Sequence, residues 1–349
     1  MNKNLKKTKI IATLGPASSS KETMIQMIQA GVDVFRINFS HADYELVLKN
    51  VNIIREINKE YGYSVSILGD LQGPKLRVGV VKEGSYLNPG DILTFTNEKL
   101  EGDATKVYMT YEKFPQDVKV GERILIDDGK LVFEVIETNN VDTVRAKTIQ
   151  GGPLSSKKGV NLPNTDVSLP ALTEKDIEDA NFMLDHEFDW IALSFVRHAQ
   201  DIIDLKELMA KHPTNKTKTP IIAKIEKPEG VKNIDEILLE CDCLMVARGD
   251  LGVEVPMEQV PVIQKNLVNK ARLYAKPVII ATQMMETMIN ILTPTRAEVH
   301  DVANSVLDGA DAVMLYGETS VGKYPVEVVS NMAKIVKNIE KTPLYSKLN

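Results

Sequence analysis

Eight short apolar runs, separated by stretches of helical periodicity, constrain this chain more than any other feature of its sequence. The runs cover residues 9–15, 32–40, 64–71, 190–196, 220–225, 243–248, 277–282 and 312–316, with helical stretches at 21–30, 44–59, 173–186, 202–211, 259–274, 296–307 and 325–339. Short apolar runs alternating with amphipathic helices call for βα units and a parallel sheet. Eight such units predict an α/β fold closed as a (β/α)8 TIM barrel. An open doubly wound sheet shares the pattern, but no G-x-G-x-x-G follows the first run.

The middle of the chain breaks the period. Between Pro74 and Pro170 short β-rich runs appear at 92–96, 123–126, 130–136 and 143–148, punctuated by Asp127-Asp128-Gly129 and Asn139-Asn140. This predicts a small all-β lid domain, residues 74–170, inserted after barrel strand 3, with the barrel formed by residues 1–73 and 171–349. Gly73-Pro74 and Leu169-Pro170 read as its hinges. Barrel active sites lie at the C-terminal ends of the strands, where a lid could close over the chemistry.

Composition excludes several classes of function. The 349 residues carry 42 Lys and Arg against 48 Asp and Glu, a net charge of −6, so there is no bulk attraction to nucleic acid or to an anionic membrane. Two cysteines, Cys241 and Cys243, make no disulfide scaffold, and a lone C-x-C is a poor metal site. The apolar run after the basic N-terminus is too short for a signal peptide, and no stretch reaches membrane-spanning length. The chain reads as soluble and cytoplasmic.

Charged residues crowd the ends of the predicted strands. Strand two ends in Arg36, Asn38, Phe39, Ser40 and His41, strand three in Asp70 and Leu71, and strand five in Lys224 and Glu226. Strand six ends in Arg248, Gly249 and Asp250, and strand seven in Thr282. Buried strands gain nothing from terminal charges unless these meet one another or a ligand. Glu226 and Asp250 close adjacent strands, and two carboxylates completed by ligand and water oxygens suit Mg²⁺ or Mn²⁺ rather than zinc. Lys224 starts on the same strand face as Glu226. Lys224, Arg36 and a divalent cation around one pocket provide the charge that a phosphoryl group in transfer requires. A Schiff-base role for Lys224 competes with this, but neighbouring carboxylates would keep the amine charged. Residues 317–323 match G-x-x-x-x-G-K, yet Tyr324 stands where a P-loop needs Ser or Thr.

These residues, together with the runs Lys9–Ser18, 69–77, 158–163, 169–176, 246–256 and 294–299, resemble the pyruvate kinase family along the whole chain. The resemblance implies phosphoryl transfer from phosphoenolpyruvate to ADP, yielding pyruvate and ATP in glycolysis, on a barrel with an inserted lid. It implies Mg²⁺ on Glu226 and Asp250, Lys224 stabilising the phosphoryl group in flight, and Arg36 holding the phosphate. Gly249, Asp250 and Thr282 would take the substrate carboxylate, and Asn38, Phe39, Ser40, His41, Arg77 and Lys158 would face the nucleotide.

Three departures from the family pattern carry expectations. K⁺-dependent members bind that ion at positions matching Asn38, Ser40, Asp70 and the Leu71 carbonyl, and carry Glu where this chain has Lys75. A tethered ammonium can supply the missing positive charge, so activity without K⁺ is expected. Tyr316 stands where the family usually has Ser, implying an altered protonation step in which Tyr316 joins the catalytic set. The effector-binding C-terminal domain of the family has no counterpart in these residues, implying loss of control at that site, with a homodimer through barrel helices still open. A different class of function, a catalytically weak paralogue that binds phosphoenolpyruvate or nucleotide as a sensor or subunit, is distinguished by assaying for pyruvate.

Overall fold

The computed structural model describes residues 6–214 and 219–346. Eight parallel strands close a barrel in chain order: Lys9–Thr13, Val34–Asn38, Ser66–Asp70, Trp190–Leu193, Ile221–Ile225, Cys243–Ala247, Val278–Ala281 and Ala312–Leu315. The last strand pairs with the first in the register Lys9 to Ala312, which leaves no free edge. Each strand is shorter than its apolar run, because the run also takes in flanking loop residues. The helix after the fifth strand, Ile234–Glu240, is absent from the periodicity reading: seven residues are too few to display the pattern.

Local signals set the helix ends. Ser20 caps Lys21–Ala30 by accepting the Thr23 N–H, and Asp43 caps Tyr44–Tyr61. Thr173 with Asp176, and Thr295 with Glu298, form capping boxes on Glu174–Asp185 and Arg296–Asp308. Gly69 is required in the third strand, where a Cβ would lie 2.4 Å from the Met183 sulfur of the covering helix. The barrel interior is aliphatic, built from Ile11, Leu68, Ile222, Met245, Ile279 and Met314 with smaller partners. Among the described residues no helix is long and apolar enough to cross a membrane.

A second compact unit comprises Pro74–Pro170 and Asp250–Glu258. Its six-stranded sheet runs in the order Val160–Asn161, Arg123–Ile126, Leu131–Thr138, Thr143–Gln150, Ile92–Thr96 and Lys106–Tyr108. The turn between Arg123–Ile126 and Leu131–Thr138 places Asp127, Asp128 and Gly129 at positive φ, which explains the residue types found there. Its core is mainly aliphatic but, unlike the barrel interior, contains an aromatic cluster: Phe95 meets Phe114 and Phe133 edge-on at 5.7 and 5.8 Å.

Candidate active site

Side chains two apart on a strand share a face. Along five barrel strands the interior residue is apolar first and polar two positions later: Ile11 then Thr13, Val34 then Arg36, Leu68 then Asp70, Ala192 then Ser194, Ile222 then Lys224. A polar layer therefore sits on the apolar core at the C-terminal end. Asp70, only 1 % exposed, is its centre. Arg36 Nε donates to Asp70 Oδ2 at 2.6 Å, and Lys224 Nζ to Asp70 Oδ1 at 3.1 Å. Burial by itself would push the Asp70 carboxyl up, but Arg36 and Lys224 hold it below the usual carboxylate range.

Lys224 Nζ also lies 2.7 Å from Ser194 Oγ and 3.1 Å from Glu226 Oε1. Ser194 donates onward to the Leu71 carbonyl at 2.7 Å. The second Glu226 oxygen accepts the Phe195 N–H at 2.7 Å, an amide aimed there by a positive φ at Phe195. Arg36 Nη1 reaches Thr13 Oγ1 at 3.1 Å. Thr13 and Ser194 are functional neighbours that the strand-end reading passes over, because neither is charged. The period-two step from an interior aliphatic residue would have found both.

Strand seven contributes a strained turn. Thr282, a β-branched residue, has φ 73°, and Gln283 has φ 53°. Thr282 Oγ1 accepts the Gly249 N–H at 2.6 Å, while the Thr282 carbonyl is held by Arg248 at 2.7 Å. Arg248 is itself fixed by a two-pronged pair with Asp301 at 2.6 and 2.7 Å. The Thr282 hydroxyl donates in turn to the Ala281 carbonyl at 2.6 Å, so two donors, both engaged within the chain, stand side by side at strand ends.

Tyr316 is 43 % exposed, with its ring centroid 5.0 Å from the Arg36 guanidinium carbon. Its hydroxyl accepts from Asn38 Nδ2 at 3.4 Å. The P-loop-like segment after it does not cradle an anion with its own amides. Buried Glu318 accepts the N–H groups of Tyr316 and Met285 at 2.8 and 3.0 Å, and the Lys323 N–H donates to Ile289.

Not every expected residue joins this cluster. The ring of Phe39 is fully buried against Tyr44, Phe182 and Phe188. Ser40 lies in the short helical turn that Asn38 caps by accepting its N–H at 3.1 Å. The side chain of His41 lies outside the described residues. In the β unit, Lys75 is exposed, Arg77 donates to the Lys157 carbonyl at 2.9 Å, and Lys158 pairs with Asp127 at 3.0 Å.

Both Glu226 oxygens are engaged, one by Lys224 and one by the Phe195 N–H. Asp250 stands half-buried in the first turn of the helix Arg248–Glu254. No group of three or more His, Cys, Asp or Glu side chains gathers as a metal site among the described residues. Carboxylate oxygens completed by substrate and water oxygens suit Mg²⁺, which keeps several waters and rarely occupies an all-protein cage.

The family description "Pyruvate kinase, barrel domain" matches residues 5–329. Pyruvate kinase 2 of Synechocystis sp. is 50 % identical over 96 % of this chain, which spans 57 % of that protein. A pyruvate kinase of Mycobacterium intracellulare is 48 % identical over 95 % of the chain, which covers 70 % of it. The crystal structure of a pyruvate kinase from Cryptosporidium parvum superposes with a TM-score of 0.94 at 39 % identity, over 98 % of this chain and 71 % of that one. A closed barrel bearing this polar layer, matched from residue 5 to residue 329, places the chain in the pyruvate kinase family.

Proposed function

We propose that this chain transfers a phosphoryl group from phosphoenolpyruvate to ADP, giving pyruvate and ATP. The observation that carries the reading is Lys224, buried and held between Asp70 and Glu226, with Arg36 on the other side of Asp70. Both cations are fixed before substrate arrives, which is the preorganisation that electrostatic catalysis needs. Arg36 holds the phosphate, and Lys224 stabilises charge on the phosphoryl group as it moves. The Gly249 N–H and the Thr282 hydroxyl exchange their mutual hydrogen bond for the substrate carboxylate. Glu226 and Asp250 would hold Mg²⁺, which when bound neutralises charge on the phosphoryl and enol oxygens. Tyr316, with its ring against the Arg36 guanidinium, belongs to the same set. Asn38, Ser40 and His41, with Arg77 and Lys158, form the nucleotide set.

The same reading extends to monovalent cations. Asp70 already answers to two cations and the Leu71 carbonyl to a hydroxyl, while Lys75 supplies an ammonium where K⁺-dependent relatives carry Glu. Activity in a bulky organic-cation buffer is expected to change little on adding KCl; strong activation overturns this point.

A coupled assay for pyruvate, with and without Mg²⁺, tests the main reading. Lys224→Ala is expected to lower kcat about 10³-fold while phosphoenolpyruvate still binds. Substrate binding by the unaltered chain with no pyruvate formed would instead support the sensor reading.

A further inference from the structure

The end of the barrel opposite the polar layer contains a cavity of about 710 Å³, to which all eight strands contribute. Ile11, Leu68, Ile222 and Ile279 form its apolar floor. Barrel interiors are ordinarily filled by layers of bulky branched side chains. Here Cys243 and Ala312 occupy the lining, and their small volumes leave space within the range of small-molecule pockets.

The polar groups around this space are unevenly committed. Asp33 accepts from Lys6 and from the Ile10 N–H, and Asp311 accepts the Val278 N–H at 2.9 Å. One oxygen of each carboxylate is thereby engaged, and Lys6 balances the charge of Asp33. The exposed ammonium of Lys9 and the indole N–H of half-buried Trp190 line the same cavity and have no hydrogen-bond or ion-pair partner among the described residues. An apolar floor, an aromatic wall and uncommitted donors that include a cation together select an anion with a flat apolar body.

We propose that the N-terminal end of the barrel is a second, non-catalytic site for a small aromatic carboxylate, its ring against Trp190 and the aliphatic floor, its carboxylate on Lys9. Trp190 is the chain's single tryptophan, so its fluorescence reports on this cavity alone. Benzoate is the probe, with benzyl alcohol (ring without charge) and acetate (charge without ring) as comparisons, and calorimetry run in parallel.

Benzoate is expected to give a saturable fluorescence change and heat in the millimolar range of a fragment-sized acid, with both comparison molecules weaker. Lys9→Ala, at an exposed position, is expected to weaken benzoate about tenfold with activity unchanged. Ala312→Leu fills the space and is expected to abolish the response. Phosphoenolpyruvate should not compete. The proposal is overturned by a response that does not saturate, by equal affinity in the Lys9→Ala protein, or by displacement with phosphoenolpyruvate.

Discussion

At the C-terminal end of the barrel, Asp70 is 1 % exposed and answers to two cations; near the other end, Lys6, 6 % exposed, answers to one carboxylate. Burial opposes the charged form of both ions. At Asp70 the combined pull of Arg36 and Lys224 overcomes burial, and the carboxyl stays ionised below its ordinary range. At Lys6 burial outweighs Asp33, whose carboxylate also serves the Ile10 N–H, and the ammonium is held below its ordinary range. The surrounding charges differ: Arg36 and Lys224 pull together on Asp70, whereas Lys6 has Asp33 and a weaker pull from Glu340 and is opposed by Lys9. The doubly paired ion belongs to the end of the barrel to which the proposed reaction assigns its anionic substrates.

Asp70→Asn provides the largest test of that contrast. It removes the buried carboxylate that Arg36 and Lys224 share, and is expected to lower stability by about 3–5 kcal/mol with turnover near background. Urea titration with a parallel pyruvate assay measures both; a loss within experimental error of zero would break the comparison. Linkage gives the pH dependence. Because the folded pKa of Asp70 is depressed, its stabilisation is present above the unfolded value of about 3.9 and is lost as pH falls through the folded value. The difference in Tm between wild type and Asp70→Asn should therefore be constant near neutrality and narrow only on acidification.

Lys6→Met is the smaller counterpart. It removes an ammonium that burial disfavours, and Asp33, 31 % exposed, retains water and the Ile10 N–H. The expected change at neutral pH is within about 1 kcal/mol of zero, of either sign. Lys6 has a lowered folded pKa, so the cost of its charge is present at neutral pH and is relieved as pH rises through that value. A loss as large as that of Asp70→Asn would show that a single carboxylate suffices, contrary to the comparison.

How much of this was legible in the sequence follows the same physics. The barrel was readable because its strands are continuous apolar runs and its helices long enough to show a period; Ile234–Glu240, with seven residues, was not. Arg36, Asp70, Lys224 and Glu226 stood out because a charge ending an apolar strand must be paired. Thr13 and Ser194 carry no charge, and the Phe195 amide, which supports Glu226, depends on a backbone angle that no residue type announces. The burial of the Phe39 ring was hidden for the opposite reason: it lies within a polar run, yet its ring turns into the cluster of Tyr44, Phe182 and Phe188. Burial decides the role of an aromatic residue, and neighbours in sequence do not report it.

Tyr316 gives the smallest effect and the finest discrimination. Its ring lies on the face of the Arg36 guanidinium, and its hydroxyl reaches Asn38 only at 3.4 Å. A cation–π contact at a site 43 % exposed is worth about 0.5–1 kcal/mol, and so long a hydrogen bond less. Tyr316→Phe keeps the ring, and both kcat and KM should stay within about twofold of wild type. Tyr316→Ser removes the ring and frees Arg36, so KM for phosphoenolpyruvate should rise about threefold with kcat little changed. If the hydroxyl acts at protonation instead, the split reverses: both variants alter kcat and its solvent deuterium dependence, and KM stays put. The two roles make opposite predictions for Tyr316→Phe in particular, because that variant keeps the contact with Arg36 and loses the proton-bearing oxygen.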